Sequence, residues 1–323
     1  TALGSSGSDN YNVLNNNTTG SYLTALGVGT LARNTTASSC TAVGHYALNK
    51  NTTGANNTAV GDNAMPANTT ASNNTAVGYG AFGTNTTGHS CTAVGQGAGA
   101  ANTTGSANTS VGLSALVALT TGGDNTAIGY AAGGYGGGSV TTGGSNTTLG
   151  AYARVSTGGV TGELVLGRYA LGQGAQTGTL GYNGNGVHIA LNNSTTSWSK
   201  HSDERLKENI VDSTAGLSFI NDLRPVTYTW KAKKDISAEF ENHYDADSNE
   251  PVQGMEDTTY HGFLAQEVKS IIDNHPEIEN GHAIWRESPD GIQNLADGAF
   301  MPMMVKAMQE LSTQVDELKQ ELI

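Results

Sequence analysis

The sequence predicts a mainly β N-terminal half, built as a parallel β-solenoid or β-roll of 17-residue coils. A small α+β region follows and ends in a helix with a heptad pattern. Three observations carry this reading: a tetrad repeated every 17 residues, a second marker in phase with it, and an abrupt change of composition after residue 201.

The tetrad is Thr-Ala-Val-Gly or a close variant. Its glycine recurs at Gly27, Gly44, Gly61, Gly78, Gly95, Gly112 and Gly129, and related tetrads end at Gly4, Gly150 and Gly167. The second marker, Asn-Thr-Thr-Gly or Asn-Thr-Thr-Ala, begins at Asn17, Asn34, Asn51, Asn68, Asn85 and Asn102. Strand alternation puts Thr41 and Val43 on one face and Ala42 and Gly44 on the other. The large apolar position (Leu26, Val43, Val60, Val77, Val94, Val111, Ile128) is expected to stack as a thin apolar spine. The Ala/Gly face is expected to admit another backbone. Glycine after the strand suits a corner with positive φ, and Asn-Thr-Thr-Gly suits an opposite corner where side chains bond local backbone. One such coil buries too little to fold alone, so stacking must stabilise it.

Cys40 and Cys91 occupy the slot before the tetrad that Asn57, Asn74, Asn108 and Asn125 fill elsewhere. Three coils at about 4.8 Å each separate them by about 14 Å, too far for a disulfide, so they read as packing thiols in an Asn ladder. Without a secretory signal, the Asn-x-Thr triplets read as repeat chemistry, not glycan acceptors. The repeat loosens from about residue 133 and resumes weakly at Gly150 and Gly167. The expected domains are 1–181 for the solenoid, 182–201 for a neck, and 202–323 for the second region. The chain opens inside a repeat and without Met, so an upstream segment is expected.

Charge divides the chain at the same place. Of 28 acidic and 15 basic residues, 4 and 5 lie in 1–201, leaving 24 and 10 after it; the formal net charge of −13 belongs to the second part. The balance speaks against nucleic acid, and no run of about 18 apolar residues offers a membrane span. Four carboxylates spread over the solenoid do not supply the pair, about 5–10 Å apart, that a glycoside hydrolase needs. They do not supply recurring calcium ligands either. His188, His201, His261 and His275 lack metal-ligand spacing, so no cofactor or metal is expected.

After the junction, Asp203 is a plausible N-cap for a short helix containing Leu206 and Ile210. Leu217, Ile220 and Leu223 mark a second helix, stopped at Arg224-Pro225. Val226 to Trp230 and Tyr260 to Leu264 read as strands, with a polar inserted loop at 231–258 and a helix starting near Ala265. Met301, Met304, Met308, Leu311, Val315, Leu318 and Leu322 alternate spacings of three and four, a coiled-coil seam.

Two resemblances follow from these residues. The tetrads resemble the head repeats of trimeric autotransporter adhesins, which implies a parallel β-roll with three chains side by side. The run Ser202-Asp203-x-Arg205-Leu206-Lys207-x-Asn209-Ile210 resembles the start of the endosialidase-type intramolecular chaperone domain of phage tailspikes and tail fibres. Leu223-x-Pro225-x-x-Tyr228-x-Trp230, Gly262-Phe263-x-Ala265-Gln266-Glu267-Val268, Pro302 and Ala307-x-Gln309-Glu310-Leu311 follow in the family's order. Phe300 stands where members often have Tyr. The resemblance implies a homotrimeric tail fibre in the virion, assembled in the host cytoplasm, joined to upstream tail proteins and binding a host cell-surface receptor. It implies an autoproteolytic Ser–Lys dyad that cuts once, between His201 and Ser202, with Ser202 as nucleophile and Lys207 as general base. Asp203, Arg205 and Asn209 are possible supporting residues. Gln266 and Glu267 read as packing or interface groups. Five positions on one helix stand about 140° apart, so Ser202 and Lys207 cannot meet if both are helical. Either Ser202 precedes the helix or Lys207 acts across a subunit boundary. The alternatives are a bacterial trimeric surface adhesin, which would carry a membrane anchor, and an ice-binding solenoid with flat Thr ladders.

Overall fold

The computed structural model describes residues 2–3, 12–191, 199–200, 202, 204–238, 240, 243–253, 255, 257–278, 284–288 and 291–322. It has two compact units, Thr1–Leu206 and Lys207–Ile323.

The first unit is a parallel β-solenoid. Its strands are β1 (Ala2–Leu3), β2 (Thr24–Leu26), β3 (Thr41–Val43), β4 (Thr58–Val60), β5 (Thr75–Val77), β6 (Thr92–Val94), β7 (Thr109–Val111), β8 (Thr126–Ile128), β9 (Thr147–Leu149), β10 (Leu164–Leu166), β11 (Thr177–Tyr182), β12 (Asn185–Ala190) and β13 (Ser199–Lys200). They form one sheet in sequence order. Pairing is parallel and residue on residue, as in Thr41↔Thr58, Ala42↔Ala59 and Val43↔Val60. The hairpin of β11 and β12 turns the pairing antiparallel.

The corner glycines behave as the tetrad predicts. From Gly27 to Gly167 they hold φ between +117° and +138°. A Cβ on Gly78 would sit 2.7 Å from the carbonyl of Gly95 in the next coil. Both the dihedral and the close approach therefore demand glycine.

The strand faces are opposite to expectation. Ala42, Ala59, Ala76, Ala93 and Ala127 are fully buried inside the coil, whereas Leu26, Val94 and Ile128 are about two-fifths exposed. The apolar spine exists, but it runs along the outside, and the alanine face is closed to any second chain. The interior is already occupied from the corner. Leu31, Leu48, Met65, Phe82 and Leu116 project inward from backbone with φ of +48° to +51°, a region that large side chains rarely adopt. Where the coil has Gly99 in this slot, an added Cβ would meet the Phe82 ring 2.5 Å away, so a large residue on one coil fills the space of a small one on the next.

Two asparagine ladders complete the interior. At the Asn-Thr-Thr corner, Nδ2 of Asn68 donates to Oδ1 of Asn51 at 2.8 Å and to the carbonyl of Ala71 at 3.0 Å, and Asn85 and Asn102 repeat the pattern. In the second ladder, Cys91 receives the chain from Asn74 and passes it to Asn108, its N–H donating to Asn74 Oδ1 and its Sγ accepting from Asn108 N. Both cysteines are buried and unpaired, and burial pushes both thiols up. Glu163 takes the ladder position after Asn146, fully buried, and accepts from the backbone N–H groups of Ser156 and Gly174.

The second unit contains α1 (Leu217–Asp222), β14 (Val226–Tyr228), β15 (Tyr260–Gly262), α2 (Ala265–Asp273), β16 (Trp285–Glu287), β17 (Gln293–Leu295) and α3 (Met301–Glu321). β14 pairs with β15 and β16 with β17, both antiparallel. The core is Phe219, Val268, Ile272, Ile284 and Phe300, with Phe263 tilted on Phe300 at 5.3 Å. Phe300 is buried among apolar rings and has no use for a tyrosine hydroxyl there. Glu310 on α3 accepts from the N–H of Leu217 at 2.7 Å, capping α1 from a distant part of the chain.

The helix expected after Asp203 is reduced to a single 3₁₀ turn, Glu204–Leu206. Asn209 has φ of +54°, and Ile210 and Val211 are 62% and 84% exposed. An apolar face with nothing to bury against does not hold so short a helix.

Candidate functional site

Along the chain, the site indicated by the sequence falls after β13 and before α1. Ser202 stands in non-helical backbone before the 3₁₀ turn, and Lys207 follows that turn directly. Ser202 therefore precedes the helical turn, one of the two arrangements that the 140° argument allows. Both residues are exposed, as are Arg205 and Asn209. Ser202 is within the first compact unit and Lys207 opens the second. His201 and Asp203 lie outside the described residues, so the expected scissile bond and one supporting carboxylate do too.

Exposure limits what this arrangement can do in one chain. A lysine acts as a base near neutral pH when desolvation or neighbouring cations lower its pKa. Lys207 is exposed in the single chain.

The remaining motif residues hold the second unit together. Arg224 and Glu267 form a two-pronged ion pair, with Nε to Oε2 at 3.0 Å and Nη2 to Oε1 as the second contact. The pair raises the pKa of Arg224 and lowers that of Glu267, and it ties the Arg-Pro corner to the first turn of α2. Glu267 is thus an anchoring group. Gln266 lines an open cavity of about 580 Å³ together with Trp230, His261, Phe263 and Leu295.

Sequence reasoning weighed His275 only as a metal ligand and missed its carboxylate partners. It is nearly buried, with Nδ1 2.6 Å from Glu277 Oε1, Nε2 2.8 Å from Asp222 Oδ2, and its ring edge-on to Phe219. Glu277 first, then Asp222, hold its pKa above the ordinary imidazole value. The local His-x-Glu pattern was visible, but Asp222 lies 53 positions away. Among the described residues no cluster of His, Cys, Asp and Glu could hold a metal ion, and no helix is long and apolar enough to cross a membrane.

On α3, one side packs inward through Met303 and Ala307. The heptad positions Met301, Met304, Met308, Leu311, Val315, Leu318 and Leu322 are 42% to 87% exposed. A single chain leaves the whole seam uncovered.

The chain thus joins a β-solenoid to a small α+β unit that ends in a helix with an exposed heptad. Comparison with known families finds a similarity at the start of the region that follows the solenoid. Residues 202–275 match the family described as chaperone of endosialidase, and the match begins at Ser202. It covers less than a quarter of the chain. With the 17-residue coils before it, the match fits an endosialidase-type tail fibre protein. Neither curated proteins nor solved structures provide a match to the chain.

Proposed function

We propose that the chain is a homotrimeric phage tail fibre or spike protein that binds a host cell-surface receptor. Residues 202–323 would drive trimerisation and folding and then release themselves at His201–Ser202. The chaperone-family match starting at Ser202 carries this reading. The uncovered heptad of α3 supports trimerisation, because an apolar seam of that length calls for partner helices. On the solenoid, the outward Thr/Val face is the one that neighbouring chains can share, since the alanines are closed inside.

In the proposed step, neutral Lys207 Nζ takes the hydroxyl proton of Ser202 as Oγ attacks the carbonyl carbon of His201. The His201–Ser202 C–N bond breaks, the lysine ammonium returns a proton to the departing amine, and an ester joins His201 to Oγ. Water hydrolyses the ester, giving a carboxylate on His201 and a free hydroxyl and amine on Ser202. Trimerisation supplies the desolvation that one chain lacks, so cutting waits for assembly. Parallel solenoids depend on non-local pairing and expose edges while folding, which is the need a C-terminal trimeriser meets.

Ser202→Ala tests the step on denaturing gels with N-terminal sequencing. The wild type should yield a smaller fragment starting at Ser202 and the variant only full-length chain; unchanged processing in the variant would reject Ser202 as nucleophile. The outward ladder Thr24, Thr41, Thr58, Thr75, Thr92, Thr109 and Thr126 also favours a second reading, ice binding. Thermal hysteresis of the purified protein tests it.

A further inference from the structure

The repeat fixes most positions of each coil, but the two residues after the tetrad glycine vary freely. They are Val28-Gly29, His45-Tyr46, Asp62-Asn63, Tyr79-Gly80, Gln96-Gly97, Leu113-Ser114, Tyr130-Ala131, Ala151-Tyr152 and Arg168-Tyr169. This corner forms a ridge along the solenoid where side-chain chemistry is not dictated by stacking.

At its C-terminal end the ridge becomes a tyrosine cluster. Tyr152 stacks flat on Tyr169, with centroids 4.5 Å apart and planes 5° apart. Tyr130 and Tyr135 each meet Tyr152 edge-on at 4.8 Å. The Arg168 guanidinium lies 4.7 Å over Tyr169 and donates to the Tyr182 hydroxyl at 3.3 Å. Tyr130, Tyr135 and Tyr182 are 45% to 61% exposed.

Stacking between coils would account for Tyr130, Tyr152 and Tyr169, but not for Tyr135. It comes from the one insertion between Gly129 and Gly150, which lengthens that step from 17 residues to 21. The sheet ignores the insertion, pairing Thr126 directly with Thr147. Gly136 and Gly137 have nothing within 4 Å of where a side chain would start. Gly138 is buried where the chain rejoins the coil; outside, the insertion adds one more exposed tyrosine to the cluster.

Charge and chemistry narrow the ligand. Between residues 125 and 191 the only carboxylate is Glu163, buried under backbone donors, while Arg154 and Arg168 are cationic. The hydroxyl of Tyr130 helps push Tyr152 up to about 12, so that phenol stays a neutral hydrogen-bonding group. A tyrosine ring offers an apolar face for stacking and a hydroxyl at its edge for hydrogen bonding. Here rigid amphipathic rings stand partly in solvent and bring several hydroxyls together on one surface, a surface suited to a polyhydroxylated partner.

We propose that Tyr130, Tyr135, Tyr152, Tyr169, Tyr182 and Arg168 form a saccharide-binding site on the solenoid ridge, with Arg168 facing an acidic substituent. This rests on the receptor-binding reading and names its site and ligand class. The test is binding of the full protein to a printed panel of neutral and uronic-acid-containing bacterial oligosaccharides, alongside attachment of the labelled protein to the strains that supplied them. The wild type should bind uronic-acid members, and Tyr135→Ala and Tyr169→Ala should each lose at least about ten-fold. Arg168→Gln should weaken acidic members more than neutral ones. Tyr22→Ala, at 89% exposure on the opposite corner, should bind as wild type. Melting curves of Tyr135→Ala and Tyr169→Ala separate loss of binding from loss of stability. Undiminished panel binding by Tyr135→Ala and Tyr169→Ala would overturn the site while leaving receptor binding intact. Attachment to cells without any panel binding would overturn the saccharide assignment alone. A wild type that neither binds the panel nor attaches to cells would overturn both.

Discussion

The two units solve the problem of an interior in different ways. In the solenoid each coil is too small for a conventional core, and its centre holds an alanine, one larger apolar side chain and two asparagines. The asparagines are bonded across coils at intervals of 17 residues. In the second unit, rings from α1, the segment before α2 and the residue before α3 meet at Phe219, Phe263 and Phe300. Solenoid stability therefore accumulates coil by coil and depends on neighbours. The second unit depends on a few large side chains brought together from distant positions, as a small globular domain does.

The contrast predicts a ranking of damage. The largest effect should come from Gly78→Val, where positive φ and the facing Gly95 backbone leave a side chain no room. We expect a loss of about 4 kcal/mol or more and a break spreading into adjacent coils, seen as new protease cuts on both sides of residue 78. Cuts confined to one coil would contradict neighbour-dependent stability. Phe219→Ala should cost the second unit about 3–5 kcal/mol and lower its melting transition, while the solenoid's β-sheet circular dichroism stays. Simultaneous loss of both signals would show the units to be one cooperative system.

Asn68→Ala should cost about 1–3 kcal/mol, because the Ala71 carbonyl loses a donor and Asn85 Nδ2 loses its acceptor. An unchanged melting curve would mean that the ladder is filler. The smallest effect is pH-dependent and belongs to the second unit. The pKa of His275 is raised in the folded state, so its contribution is full below the ordinary value of 6.5 and fades as pH rises through the folded value. The pKa of Glu277 is lowered, so its contribution is present above the ordinary 4.5 and fades as pH falls through the folded value. The second transition should be most stable between those limits and decline as pH rises through the folded value of His275, and His275→Asn should flatten the decline. An equal alkaline decline in that variant would remove His275 from the explanation.

Much of this was legible in the residues themselves. The 17-residue period, the corner glycines, the asparagine slots that accept cysteine, the order of α1, β14, β15 and α2, and the heptad of α3 all follow from spacing and turn chemistry. Those are local or strictly periodic properties, and a repeat multiplies a weak local preference until it is unmistakable. The inside and outside of the strands were not legible, because alternation divides residues into two faces without saying which is enclosed. That choice belonged to the volume already filled from the corner by Leu48, Met65 and Phe82. Nor could spacing reveal the hairpin of β16 and β17, whose Trp285-Arg286-Glu287 and Gln293-Asn294-Leu295 lack clear alternation, or the meeting of Asp222 with His275.

At Ser202 and Lys207 the same division holds. The sequence by itself determined the residue types, their order and the family motif around them. The tertiary structure decided that the run before Ile210 is a single turn in the open, since Ile210 and Val211 have no apolar surface to cover them. Helical periodicity holds so short a segment only when its apolar face is buried, and burial is a property of the fold rather than of the spacing.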